Sequence, residues 1–145
     1  MSPRTLSVVA TVLLVAAITY LLLTHKLLAH HPIGFTIQLC AVALMVWARL
    51  TFGMRSFHAG GTPTAGGLVV EGPYRYVRHP IYAALLMFVS AGVLWNWTWT
   101  GILMGFVTAV TLAIRAVSEE VLLVDVYPEY LEYARRTARL IPYLF

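Results

Sequence analysis

The chain has 145 residues, of which 60% are hydrophobic and only 11% are charged. A soluble domain is about half apolar and about a quarter charged, so this composition excludes an ordinary soluble domain and indicates a lipid environment. The length allows one domain, and the single cysteine, Cys40, excludes a disulfide within the chain. The net charge of +4 does not by itself indicate nucleic acid, because the positions of the charges along the chain explain it better.

Four apolar stretches predict an all-α, polytopic membrane protein that forms a single membrane domain over residues 1–145. A spanning helix needs roughly 20 residues to cross about 30 Å of hydrocarbon. The uncharged runs predict spans at about 5–24, 33–50, 80–97 and 99–120. The first run is too long for a signal peptide and no small-residue cleavage site follows it, so we predict a retained helix.

Positive charges fall almost entirely on one side of these four spans. With the N-terminus inside, only Lys26 lies outside, and the cytosolic side carries Arg4, Arg49, Arg55, Arg75, Arg78, Arg115, Arg135, Arg136 and Arg139. Because positive charge marks the cytosolic side, we expect both termini in the cytosol and an even number of spans. The expected location is a prokaryotic inner or plasma membrane.

The cytosolic segments between and after the spans differ in character. The loop 51–79 is rich in glycine and proline, which excludes a helix across it, and Pro80 then opens the third span. The tail 128–139 begins with a proline and a glutamate and ends with arginines, a charge order that suits the helix dipole. We therefore predict a C-terminal amphipathic helix over 128–139.

Arg115 and Glu119 are four residues apart near the cytosolic end of the fourth span, so they share a helix face. Ionisable groups at this depth are costly and usually face a partner or a cavity. A guanidinium beside a carboxylate suits a zwitterionic ligand. The pair could equally be an internal ion pair at a solvated helix end, and the residues alone leave both interpretations open. We favour Glu119 over Glu120 for the site, since only Glu119 shares the face of Arg115.

The segment 72–82 places His79 at the start of the third span. Its arginines could simply bind anionic lipid, and its tyrosines could be interfacial anchors. Together with Glu119-Glu120 and the tail 129–142, however, the segment resembles the isoprenylcysteine carboxyl methyltransferase family and its wider relatives, including phospholipid methyltransferases. The matching patterns are Gly-x-Tyr-x-Tyr-x-Arg-His-Pro-x-Tyr, a Glu-Glu pair, and a Glu-Tyr-x-x-Tyr tail that ends in Ile-Pro.

This resemblance implies an S-adenosylmethionine-dependent methyltransferase whose acceptor is a prenylcysteine-like carboxylate or another isoprenoid or lipid. His79 and Tyr82 would form the nucleoside pocket, and the tail would form a lid. Glu119 would bind the methionine ammonium, and Arg115 would bind a carboxylate of the cofactor or of the acceptor. The implied catalytic residues are Arg115 and Glu119, and the implied cofactor-binding residues are Val77, Arg78, His79, Tyr82, Glu119, Glu120, Tyr130, Tyr133, Arg136 and Pro142.

Two other functions stay open at this point. One is a non-enzymatic membrane scaffold or binding protein, which would have no reason to keep a pair such as Arg115 and Glu119. The other is a reductase of the membrane sterol reductase type, for which this chain offers little room for NADPH. We expect no metal, because the histidines are scattered and the adjacent His30 and His31 would point apart on a helix. The expected partners are a lipophilic acceptor and membrane lipids, without nucleic acid.

Overall fold

The computed structural model describes residues 2–53 and 67–141. Pro142 and the middle of the loop 51–79 lie outside these ranges. Within them the chain is helical and contains no named strand, which confirms the predicted all-α class. The elements are α1 (Pro3–Leu23), α2 (Pro32–Phe52), a 3₁₀ turn (Gly72–Arg75), α3 (Pro80–Trp95), α4 (Trp99–Val126) and α5 (Tyr130–Arg136).

The first four α-helices correspond to the four predicted spans. In the described ranges, α1, α2 and α4 are long and apolar enough to cross a membrane. Helix α3 is also apolar but has 16 residues, which gives a length of about 24 Å. It ends early because the Asn96 side chain caps it and donates to the carbonyl oxygens of Gly92 and Leu28, at 3.0 and 2.7 Å.

Proline and hydroxyl residues set the starts of these helices. Pro3, Pro32 and Pro80 each occupy the first turn, where a missing N–H costs nothing. Helix α4 instead begins behind Thr98, whose hydroxyl accepts a hydrogen bond from the Gly101 N–H at 3.2 Å. Helix α4 then continues to Val126, six residues beyond the predicted end at 120.

The helices pack in the order α1, α4, α3, α2, so that α3 and α4 form the middle of the bundle. Helix α1 buries one stripe at helical spacing, made of Ser7, Ala10, Leu14, Ala17 and Leu21. Most of these side chains are small, which allows close approach of helices where lipid supplies no hydrophobic force between them. The arrangement brings the N-terminal parts of α1 and α3 and the C-terminal part of α4 to the same end of the bundle.

The opposite end of the bundle is fixed by one buried amide. Gln38 is 2% exposed, and its Nε2 donates to the carbonyl oxygens of Leu27 and Phe88, at 2.8 and 3.1 Å. Its Oε1 accepts from the Ala29 N–H at 3.0 Å. Because all these groups are satisfied, a polar side chain inside the bundle joins α2 to α3 and to the loop between α1 and α2.

The C-terminal helix is shorter than predicted. It spans only Tyr130–Arg136, and Thr137 is already extended. The following residues pair in parallel with the segment before α3: the Arg78 N–H donates to the Ala138 carbonyl at 2.8 Å, and the His79 N–H donates to that of Arg139 at 3.1 Å. A helix through residue 139 would leave these backbone groups unpaired, so the tertiary pairing overrides the helical charge pattern.

We predict that Gly92→Ala destabilises the bundle. Alanine normally favours a helix over glycine by about 1 kcal/mol, but a Cβ at Gly92 would overlap the backbone carbonyl of Leu27, which cannot rotate away. Overpacking of this kind costs about 1–3 kcal/mol, so the midpoint of thermal unfolding followed by circular dichroism in detergent should fall. Gly105→Ala is the matched control, because its Cβ meets only side-chain methyls of Val93, the nearest at 3.3 Å. Equal midpoints for the two variants would contradict the prediction.

Candidate functional site

Charged and hydroxyl side chains from α3, α4 and the tail meet at one end of the bundle, where α3 begins and the last turns of α4 lie. We call this set the polar cluster; its members are Arg78, His79, Tyr82, Arg115, Glu119, Glu120 and Arg139. It contains three of the four arginine–carboxylate pairs found among the described residues, and the side chains of these three pairs are at most 25% exposed. Paired burial of this kind next to a membrane is typical of a functional site.

Glu119 belongs to one half of the polar cluster. Its Oε1 accepts from the Tyr82 hydroxyl and from Arg115 Nη2, the latter at 3.1 Å. Arg115 Nε donates to the Tyr82 oxygen at 3.0 Å, and the guanidinium carbon lies 5.5 Å from the centre of the Tyr82 ring. Arg115 is only 8% exposed. The predicted shared face is therefore confirmed, and the two charges neutralise each other.

Glu120 belongs to the other half and is saturated by cations. It accepts from Arg78 Nε at 2.9 Å and from Arg139 through two bonds, Nε at 3.0 Å and Nη2 at 2.8 Å. Arg78 Nη1 also donates to the carbonyl oxygens of Ala134 and Thr137. Glu120 therefore fastens the tail to α4.

His79 lies between the two carboxylates. Its Nδ1 is 3.6 Å from Glu119 Oε2, and its Nε2 is 3.3 Å from Glu120 Oε1. The imidazole stacks on the Tyr82 ring with a 5.4 Å centroid distance and an interplanar angle of 3°. Glu119 accepts the hydrogen bonds of Tyr82 and Arg115 through Oε1, so Oε2, at 3.6 Å from His79, keeps the capacity to accept a further hydrogen bond.

The predicted lid residues lie at different depths. The Tyr133 hydroxyl donates to the Tyr74 carbonyl at 2.6 Å, and burial raises the pKa of Tyr133 to about 12, so it stays a neutral donor. Tyr130 is 2% exposed, and its hydroxyl makes no hydrogen bond within the described part of the chain. Burial, with the Glu120 carboxylate nearby, raises the pKa of Tyr130. Arg136 instead faces solvent and pairs with Glu132 outside the polar cluster.

An apolar cavity of about 450 Å³ lies between α2, α3 and the tail, and Val77 is one of the residues that line it. Its lining is almost wholly hydrocarbon and includes Leu44, Ala83, Met87 and Leu140. Val77 and Pro80 also line it, and they flank His79 in sequence. The same short segment therefore borders both the cavity and the polar cluster.

The sequence did not predict two residues that contact the charged side chains of this site, Arg139 and Thr11. Arg139 was assigned only to the end of a helix, whereas it pairs with Glu120. Thr11 of α1 accepts a hydrogen bond from Arg115 Nη1. Thr11 is one of several hydroxyl residues in α1, so no local pattern signals that it faces a charge 104 residues away. Residues 2–53 and 67–141 contain no group of three or more His, Cys, Asp or Glu able to hold a metal.

A sequence model of the family described as phospholipid methyltransferase matches residues 29–130. The match spans α2, α3 and α4, including His79 and the Glu119-Glu120 pair, and leaves out α1 and most of the tail. No curated protein and no solved structure gives a match. The resemblance drawn from the motifs is thus confirmed on its phospholipid methyltransferase side, over more than half of the chain.

We predict that Glu120→Gln loosens the tail. A glutamine retains one acceptor oxygen and no charge, so it cannot replace the bonds to both Arg78 and Arg139. Losing charge-assisted hydrogen bonds of this kind should lower the free energy of opening of the tail by about 2 kcal/mol. Where amide hydrogen exchange occurs through this local opening, the exchange should become roughly 30-fold faster. The reporters are the amides of Arg78, His79 and Ala138, which form the pairing. Glu132→Gln, in the exposed pair with Arg136, should leave them unchanged; equal protection in both variants would refute this role.

Proposed function

The chain belongs to the phospholipid methyltransferase family, and from that premise we propose that it transfers a methyl group from S-adenosylmethionine to a lipophilic acceptor at the cytosolic face of a membrane. The family and the long apolar helices make it an integral membrane protein. The single observation that carries the cofactor proposal is the buried pair of Arg115 and Glu119, closed by Tyr82 and His79, inside the matched region.

The residues present fit this cofactor. The stacked rings of His79 and Tyr82 offer an aromatic surface for a nucleoside base, and Glu119 Oε2 can accept from an ammonium. The Arg115 guanidinium suits a carboxylate, and the buried Tyr130 hydroxyl has a hydrogen bond to give. When bound, the cofactor would supply an already activated methyl group on a sulfonium.

Burial makes the charge pair selective for a zwitterion. Removing one partner of a buried ion pair costs about 3–5 kcal/mol, because the other charge is left uncompensated. A ligand with a single charge would separate Arg115 from Glu119 and leave one of them unpaired. A ligand that carries an ammonium and a carboxylate can satisfy both at once, as the methionine end of the cofactor does.

The demands on the protein depend on the acceptor atom. A carboxylate or thiolate is already nucleophilic, so the chain would only need to place it and exclude water. An amine must first lose a proton. His79, which lies within 3.6 Å of Glu119 and 3.3 Å of Glu120, is the side chain of the polar cluster that we assign to accept that proton. A phospholipid amine would need this base, whereas a prenylcysteine-like carboxylate would not.

The apolar cavity supports a lipophilic acceptor. Its volume of about 450 Å³ and its hydrocarbon lining between α2 and α3 suit part of an isoprenoid or acyl chain, and its border at Val77 and Pro80 lies next to His79. A methyltransferase uses all these features together. The scaffold alternative explains neither the charge pair nor the cavity, and the family match supports a methyltransferase over a reductase.

We expect the detergent-solubilised protein to bind S-adenosylhomocysteine in calorimetry. Glu119→Gln and His79→Ala should weaken binding by about tenfold or more, because each removes a charge-assisted or stacking contact. Asp125→Asn, an exposed carboxylate of the same helix, should bind like the wild type. Absence of binding by the wild type, or equal binding by all variants, would refute the cofactor proposal.

We also expect membranes that contain the protein to transfer labelled methyl from S-adenosylmethionine into an organic-extractable pool. Ala83→Leu fills the apolar cavity, so it should reduce this transfer severalfold and leave the affinity for S-adenosylhomocysteine unchanged. Ala43→Leu, the same change at an exposed position of α2, is the control. Label found only on water-soluble acceptors would reject a lipophilic acceptor, and full activity in Ala83→Leu would reject this cavity as its site.

A further inference from the structure

Helix α1 lies outside the family match at 29–130, yet it reaches the polar cluster. Thr11, in the middle of α1, accepts a hydrogen bond from Arg115 Nη1 through its side-chain oxygen. Helix α1 packs mainly on α4, the helix that carries Arg115. The contact therefore belongs to the main interface of α1 and is not a chance meeting of surface side chains.

The Arg115 guanidinium is held from three helices at once. Its Nε donates to Tyr82 of α3, its Nη2 to Glu119 of α4 and its Nη1 to Thr11 of α1. A planar guanidinium has its donors in a fixed fork, so three partners in different directions determine both its position and its plane. Among these partners, Thr11 alone comes from outside α3 and α4.

The Thr11 hydroxyl is itself oriented. It donates its proton to the Ser7 carbonyl at 2.7 Å, one turn earlier in α1. The proton is therefore committed to the backbone, and the oxygen presents a lone pair to Arg115. The Thr11 hydroxyl is neutral, so its hydrogen bond with the Arg115 guanidinium leaves the positive charge available to an anionic ligand. The hydrogen bond can therefore persist when such a ligand binds.

We propose that Thr11 is a positioning residue for the cofactor site, which holds Arg115 ready for the carboxylate of the ligand. This inference rests on the proposed function. If a ligand ammonium takes Glu119 and a ligand carboxylate takes the freed Nη2, Arg115 loses its own-helix partner at that moment. Thr11 and Tyr82 then keep the guanidinium in its plane. Helix α1 is thus a wall of the site as well as a membrane span.

The test compares Thr11→Val, which keeps the shape and removes the hydroxyl, with Thr11→Ser, which keeps the hydroxyl. Calorimetry with S-adenosylhomocysteine should show about tenfold weaker binding for Thr11→Val, the loss of one hydrogen bond to a charged group, and near-wild-type binding for Thr11→Ser. Thr108→Val is the matched control, because Thr108 is buried in α4 and its hydroxyl bonds only its own helix backbone, at Met104. Thr11→Ala replaces Thr11→Val if the valine variant fails to fold.

A second readout does not depend on the cofactor. In ¹⁵N spectra of the arginine side chains, the Arg115 Nε–H, identified by its absence in Arg115→Lys, should be protected from exchange with water in the wild type and in Thr11→Ser. It should lose that protection in Thr11→Val and keep it in Thr108→Val. Unchanged protection or unchanged affinity in Thr11→Val would overturn the role of Thr11. A wild type that binds no S-adenosylhomocysteine but shows the Arg115 change would instead overturn the proposed function alone.

Discussion

A charge buried in a membrane protein must be paired, and this constraint governs the end of the bundle that carries the polar cluster. Two adjacent carboxylates, Glu119 and Glu120, enter a region where their side chains are only 17% and 12% exposed. Leaving either unpaired would cost several kcal/mol, so cations must converge on them from other segments. Arg115 comes from the same helix, Arg78 from the segment before α3 and Arg139 from the tail. Pairing of these charges therefore fixes where the segment directly before α3 and the tail lie.

The same pairing explains the irregular backbone around the site. Residues 77–79 lie outside the helices, and His79, directly before Pro80, is disfavoured from helical backbone, so the backbone groups of this segment need partners from elsewhere. The tail provides them through the pairing of Val77 with Ala138, and Arg78 adds bonds to the carbonyls of Ala134 and Thr137. The pairing with the tail thus holds the backbone of His79 in place, and its side chain lies between the two carboxylates.

Sequence reasoning found what depends on local periodicity and missed what depends on distant partners. The four apolar helices follow from hydropathy, and the contact of Arg115 with Glu119 follows from their spacing on one helix. The extended residues 137–139 carry the charge pattern of a helix end, and only their pairing with Arg78 and His79 makes them extended. Thr11 is one of several hydroxyl residues in α1, and its partner lies 104 residues away, so no local pattern distinguishes it from Thr5, Ser7 or Thr19.

Adjacent positions on a helix point about 100° apart, and the glutamate pair uses this difference to separate two tasks. Glu120 has its oxygens occupied by Arg78, Arg139 and His79, so any ligand that bound it would have to release the tail. Among the described residues, Glu119 accepts hydrogen bonds from Tyr82 and Arg115, and its Oε2 lies 3.6 Å from His79 Nδ1. A zwitterion could therefore separate Glu119 from Arg115 while Glu120 keeps the site assembled. On this argument the two glutamates of the motif are not interchangeable: one maintains the architecture, and the other is the group that a ligand can address.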